Sequence, residues 1–282
     1  MLTKRENFLA TIRGGKPDRF VKQYKALNLV VGDPVNFYVR GKRYPGMEPT
    51  TDRWGTRILW PMGEPGATPD PAAQVVEDVT CWRDYTKVPD LIANCDALQL
   101  WEPYLEAAAK VDRGDRMLTM FAPTGVFERM HFLMGFEDTL CNFVLEPEAM
   151  EDLAMAIGEY RYNGFKLMVD HGHPDAILFH DDWGSKQNLF VQPELWREII
   201  KPAYEKGYGY VHDQGVLLIH HSDSFCEPIV EDMIDLHIDV WQGVLPQNDI
   251  VSIQKKVNGR IALMGGLDAA IVDRADSTEE EI

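Results

Sequence analysis

Cysteine is scarce: Cys81, Cys95, Cys141 and Cys226 are the only four in 282 residues, and no two form a C-x-x-C pair. A chain this long does not need a disulfide framework, and ribbon- or finger-type zinc sites lack their spacing, so the thiols point to a reduced, cytoplasmic setting. Positive charge is also short, with 28 Lys and Arg against 45 Asp and Glu, a net charge of −17. Such a surface repels phosphate backbones and anionic lipid, which disfavours nucleic acid and membrane as partners. There is no run of 18 apolar residues to span a bilayer, and residues 1–8 lack the apolar core of a signal peptide. Also absent are G-x-x-x-x-G-K-[ST], G-x-G-x-x-G after a strand, G-x-S-x-G and H-E-x-x-H. Nucleotide hydrolysis, Rossmann-type hydride transfer, nucleophile-elbow hydrolysis and zincin proteolysis lose support accordingly.

What is present is the composition of a globular domain, 45% hydrophobic and 26% charged. Thr3 and Glu6 form a capping-box pair before an amphipathic stretch at 7–12 that Gly14 and Gly15 stop. Residues 32–89 are dense in Gly, Pro and aromatics without helical period, and read as irregular loops and short strands lying over one face. Asp96 is placed to cap a helix carrying Leu98, Trp101, Leu105 and Ala108, and Pro147 opens a long helix ending near Gly172.

From there a strand–turn–helix grammar repeats. Apolar strands are expected at 116–121, 176–180, 215–220, 237–241 and 260–264, and the last three begin about 22 residues apart. Strands alternating with amphipathic helices imply parallel pairing with right-handed crossovers, and this pitch is that of a (β/α) barrel. The expected architecture is a single α/β domain over 1–282: an N-terminal helix and irregular segment over 1–95, then βα repeats over 96–282. The segment 277–282, with Thr278 as a cap and Glu281 as its capping-box partner, reads as the start of a helix, so the barrel is expected to lack its last βα portion. An incomplete barrel leaves two open sheet edges through which copies can associate into a homo-oligomer.

Polar residues cluster just after each strand, on the carboxyl rim where such barrels hold their active sites. Asp181-Asp182-Trp183 follows one strand, and adjacent acids on an extended segment point opposite ways, so one of the two faces the centre. His220-His221-Ser222-Asp223-Ser224 combines imidazoles that bind metal or carry protons with groups that orient them. Gly265-Gly266-Leu267-Asp268 offers a turn through which backbone approaches a ligand, with Asp268 as a polar anchor, and Gln242 occupies the equivalent rim position of another strand. The candidate catalytic residues are therefore Asp182, His220, His221 and Asp268, with Asp181, Trp183, Ser222, Gln242 and Gly266 beside them as substrate contacts. Tyr24, Trp54 and Trp60 are candidates for a pocket wall.

These clusters, with Arg5-Glu6-Asn7-Phe8-Leu9-Ala10, Pro17-Asp18-Arg19, Asp52-Arg53-Trp54-Gly55, Trp196 and Lys201-Pro202, resemble the uroporphyrinogen decarboxylase superfamily, in its order and over nearly the whole chain. The resemblance implies a (β/α)8 barrel with its pocket at the carboxyl rim. The decarboxylases of that superfamily carry an M-R-Q-A-G-R segment, whereas the corresponding residues here are Phe20-Val21-Lys22-Gln23-Tyr24-Lys25-Ala26-Leu27. The chain is closer to the branch of cobalamin-dependent methyltransferases, which implies a methyl group moved between a small O- or N-methyl compound and a corrinoid carried on a partner protein. In the thiol-activating members a His-x-Cys pair helps to bind zinc; His220 matches the His, making it the candidate metal ligand, and Ser222 takes the Cys position. That leaves a mixed His/carboxylate zinc site or no metal. The alternatives are a porphyrinogen decarboxylase-like lyase using Arg40, Lys42, Arg43, Arg53 and Arg57 if they converge, or a non-catalytic barrel that holds a corrinoid or pterin.

Overall fold

A computed structural model describes residues 1–280. Its main sheet is built from β1 (Leu27–Leu29), β5 (Met117–Ala122), β6 (Ala176–His180), β7 (Leu217–His221), β8 (Val240–Val244) and β9 (Ala262–Gly265). All five pairings run parallel, in the order β1-β5-β6-β7-β8-β9. A separate antiparallel sheet joins β2 (Met47–Thr51), β3 (Arg57–Trp60) and β4 (Thr68–Pro69). The main sheet curls: Leu27 and Val240, from strands far apart in its order, share one buried cluster with Phe8, Met117, Ala176, Leu178, Leu217 and Ile219. That cluster fills the inside of a partial (β/α) barrel of six strands among the described residues.

The alternating side chains of the same strands pack outward. Ile177, Phe179, Leu218 and Trp241 join the larger core beneath the helices. Both layers follow from the two-residue repeat of a strand: buried on both faces, each strand reads as a nearly unbroken apolar run. The 26-residue helix Pro147–Gly172 carries much of the outer layer and ends at His173, which adopts the left-handed conformation (φ 46°).

The Thr3/Glu6 capping box is present and starts the helix Lys4–Ile12. β1 departs from expectation, because three residues of Leu-Asn-Leu beside a Gly/Pro-rich segment are too short to show a period. Asp96 does not cap the next helix; Leu98–Ala108 starts after Ala97, and the Asp96 carboxylate instead meets His171 Nε2 at 2.8 Å. The predicted capping box at the chain end involves Glu281, which lies outside the described residues. No helix among the described residues is long and apolar enough to cross a membrane.

Candidate active site at the barrel mouth

Strand alternation decides which rim residues meet. On β6, Ala176 and Leu178 lie in the barrel interior, and Ile177 and Phe179 lie outside it. The same period sends His180 and Asp182 inward and Asp181 and Trp183 outward. On β7, Leu217 and Ile219 are interior, so His221 follows them and His220 does not. β6 and β7 are paired with Phe179 opposite His220 and His180 opposite His221, which puts the two inner imidazoles side by side, stacked with centroids 4.5 Å apart.

His180, Asp182 and His221 each present a ligand atom within 4.8 Å of the others. The Nε2 of His221 lies 3.9 Å from Asp182 Oδ1. Its Nδ1 donates to the side-chain carbonyl of Gln242 on β8, which fixes the tautomer and leaves Nε2 with its lone pair. The Nδ1 of His180 is held 2.7 Å from Glu128 Oε1. Glu128 reaches the mouth because it opens the helix Val126–Met134, where its carboxylate also accepts from the backbone N–H of Gly125 at 3.2 Å. Asp182 Oδ1 accepts from the N–H of Asp223 at 3.2 Å.

Burial and mutual charge separate these groups. Burial alone would lower His180, but its hydrogen bond to Glu128 and that group's charge outweigh it and push the imidazole up to about 9. Burial opposes ionisation of Glu128 too, yet His180 holds it below the usual carboxylate range. Asp182 is pushed up to about 7, mainly by burial, with Glu128 and Asp223 adding and His180 opposing. Burial and then the charge of His180 lower His221. The mouth thus sets an imidazole raised by its carboxylate partner beside a carboxyl raised toward neutrality and an imidazole that is lowered, which suits proton transfer in either direction.

The outward partners of these residues are structural, which corrects several expectations. His220 is fully buried: its Nδ1 accepts from Tyr208 Oη at 2.8 Å, its Nε2 donates to the Asp181 carbonyl at 3.1 Å, and its ring stacks on Trp183 at 4.0 Å. Burial drives its pKa well down, so it is neither a rim acid nor a free ligand. Asp181, also fully buried, accepts from the N–H groups of Phe127 and Glu128 at 3.0 and 2.8 Å, from Trp183 Nε1 at 2.9 Å and from Tyr204 Oη. It anchors the start of the helix that carries Glu128 rather than touching substrate. A Cβ on Gly125 would overlap the Asp181 side chain, so this approach requires glycine. Ser222 is buried among Ser224 Oγ (2.6 Å), Cys226 Sγ (3.6 Å) and the N–H of Trp183 (3.2 Å).

Asp268 does not join the mouth cluster: its carboxylate pairs with Lys186 Nζ and Gln247 Nε2, both at 3.0 Å, and these bonds hold it below its ordinary value. Gly266 follows β9 in a positive-φ turn (89°) whose N–H bonds the Val244 carbonyl. Trp54 is buried against Tyr160 instead of facing a cavity, and Trp60 sits in the small sheet with its indole N–H on the Glu64 carbonyl. Tyr24 is exposed and lines a cavity of about 910 Å³ along the open side of the barrel, where Gln242, Gly243 and Met264 also contribute. Arg57 pairs with Asp70 at 3.2 Å and Arg53 lies over the Tyr38 ring, so neither converges on the mouth.

Sequence reasoning missed His180 and Glu128. His180 ended a strand already recognised, and continuing the apolar alternation of β6 by one step would have placed it inside. Glu128 stands three residues after Gly125, the capping-box position of a helix that follows a strand.

Comparison with known proteins agrees with this architecture. The family model for uroporphyrinogen decarboxylase (URO-D) matches residues 102–281. Among curated proteins none matches the chain. Among solved structures, a methyltransferase from Methanosarcina mazei superposes with a TM-score of 0.65 at 16% identity, over 95% of this chain and 83% of that one.

Proposed function

The chain belongs to the uroporphyrinogen decarboxylase (URO-D) family, and from that membership and the chemistry of its mouth we propose that it is a methyltransferase of a corrinoid-dependent demethylating system. It would move a methyl group between a small O- or N-methyl compound and a corrinoid on a partner protein, in the reducing cytoplasm that four unpaired cysteines suit. The observation that carries this reading is the trio His180, Asp182 and His221, two of whose members are oriented from behind by Glu128 and Gln242. The fold shared with the archaeal methyltransferase is supporting context.

Two imidazoles and a carboxylate, with their outer Nδ1 atoms already committed to oxygen acceptors, are the donor set of an open catalytic zinc site. His180, Asp182 and His221 would hold the ion. Bound there, zinc would supply Lewis acidity toward a thiol or the departing heteroatom. Metal binding must displace the proton of the His180 imidazolium, so affinity rises with pH.

The chain's own contribution without metal is a proton. When the carbon–heteroatom bond of the donor breaks, its electron pair stays on oxygen or nitrogen, and an alkoxide or amide leaves poorly. His180, kept protonated by Glu128, donates to that atom as the methyl carbon bonds to the nucleophile; Asp182 and neutral His221 take up or return protons between turnovers. A positioned acid of this kind contributes about 10²–10⁴-fold. His180 cannot be ligand and acid at once, so metal content decides between the two modes.

The test is elemental analysis of purified protein, followed by absorbance assay of a reduced corrinoid with a panel of O- and N-methyl donors. Corrinoid methylation that is lost in His221→Ala supports the reading. Release of CO₂ from uroporphyrinogen without any corrinoid methylation would replace it with the decarboxylase reading.

A further inference from the structure

The second group of buried charges is basic, in a chain whose net charge is −17. Arg40, Arg43, Arg129 and Arg161 lie close enough for the first to feel the charge of the other three. Asp52, its side chain fully buried, pairs with Arg129 at 2.8 Å and stands 3.9 Å from Arg43, while Asp181 acts on Arg161 only through its charge, without an ion pair. Asp52 is further occupied by the N–H groups of Trp54 and Thr56. Among the described residues no carboxylate lies within 4.0 Å of the Arg40 or Arg161 guanidinium. Arg161 is buried and faces rings, Tyr160 at 4.9 Å and Phe179 at 5.7 Å. The Nε atoms of Arg40, Arg129 and Arg161 are buried without a hydrogen-bond partner.

Guanidinium groups stay charged, so burial together with like charges is unfavourable unless a counter-charge arrives. Aromatic faces offset part of this but accept no N–H bond in the guanidinium plane. Burial pushes Arg40 down to about 10, with its three arginine neighbours adding and Glu128 opposing. Arg40 also stands in the wall of a cavity of about 900 Å³, with Asp52, Tyr38 and Asn94 among its other lining residues. Arg40 therefore opens to solvent through this cavity, and the charge of Glu128, the residue that holds His180 at the mouth, reaches it from within.

We propose that Arg40, backed by Arg43, Arg129 and Arg161, forms an anion-recognition site that takes a small oxyanion, a carboxylate or phosphate carried by the substrate handled at the mouth. A planar guanidinium donates paired N–H bonds to such oxygens, which would satisfy the orphaned Nε donor of Arg40. The inference rests on the proposed function only for the identity of the reacting group; the anion site itself needs no turnover.

The experiment is titration calorimetry of the full chain with inorganic phosphate and, separately, acetate, each against chloride at matched ionic strength. Saturable binding of one or both, weakened at least tenfold in Arg40→Gln and in Arg161→Met, is the expected result, and the tighter probe identifies the oxyanion class. Binding no stronger than chloride overturns the proposal, as does binding unchanged in Arg40→Gln, which tests the site even if Arg161→Met fails to fold. An Arg161→Met protein that is more stable and binds either probe as before would show that the cluster is structural. Oxyanion binding without corrinoid methylation by any donor would sink the methyltransferase reading and leave this one standing. Methylation with all donors unaffected by Arg40→Gln would do the reverse.

Discussion

The two faces of β7 carry the same residue type one position apart and put it to opposite uses. His220 on the outer face has both ring nitrogens bonded within the protein and is sealed under Trp183. His221 on the inner face has one nitrogen bonded to Gln242 and the other turned toward Asp182. The acids at the end of β6 divide in the same way: burial raises both to about 7, but Asp181 receives backbone and side-chain donors from the helix Val126–Met134 and its surroundings, while Asp182 accepts a single backbone N–H. Saturation of hydrogen-bonding capacity, more than residue identity, separates a structural polar group from a reactive one.

Substitutions on the two faces test this division. The largest expected effect is on turnover: His221→Ala should lower methyl transfer by about 10²–10⁴-fold while leaving thermal unfolding close to that of the parent. His220→Ala should do the opposite to stability, costing about 2–4 kcal/mol through a cavity and an unpaired Tyr208 hydroxyl, with a fall in melting temperature on the order of 10 °C. Equal stability losses for the two variants would erase the distinction.

The pH dependence is more selective. Asp182 is raised above its unfolded value, so its contribution to stability is fully present below about pH 4 and is lost as pH rises through about 7. Asp182→Asn should therefore stabilise the protein at pH 8 by about 1–3 kcal/mol and change little at pH 4, as denaturant titrations at the two values would show. His180 is likewise raised, so the stability it draws from Glu128 is complete below about pH 6.5 and disappears as pH passes about 9. Glu128→Gln should lower the melting temperature at pH 6 and have a much smaller effect at pH 10. The smallest effect is expected for Ser222→Cys: lying outside the barrel wall, the new thiol should leave zinc content unchanged and stability within about 1 kcal/mol. A gain of bound zinc in that variant would mean that the outer face, not the inner, is the ligand face.

Much of the fold was legible because long periodic segments fix it. The bounds of β6 and of the helix Pro147–Gly172 agree with expectation, since Pro and Gly punctuate them and the apolar period runs unbroken between. β1 and the antiparallel sheet were not legible in that way: strands of two to five residues, stabilised by pairing with distant chain, carry no period of their own. At the site, the rim clusters were visible but their phase was not carried through. The alternation that sends one of Asp181 and Asp182 inward becomes decisive only when Ala176 and Leu178 are known to face the interior, and the same step would have kept His221, set His220 aside and introduced His180. Trp54 failed for another reason. An aromatic in a Gly/Pro-rich segment looks exposed, yet here it packs on Tyr160 and under the Arg129 guanidinium, contacts made across the fold.

One short helix deserves a last consequence. Glu128 and Arg129 are consecutive, so they leave the helix axis roughly 100° apart, one supplying the counter-ion of the mouth imidazolium and the other the partner of Asp52. A slip of this segment by a single residue would bring Arg129 and Met130, or in the other direction Phe127 and Glu128, to those two places, so both would lose their native charge at once. Redesign of this chain toward a new substrate must therefore treat those two positions as a unit, because no register of the helix retunes one while sparing the other.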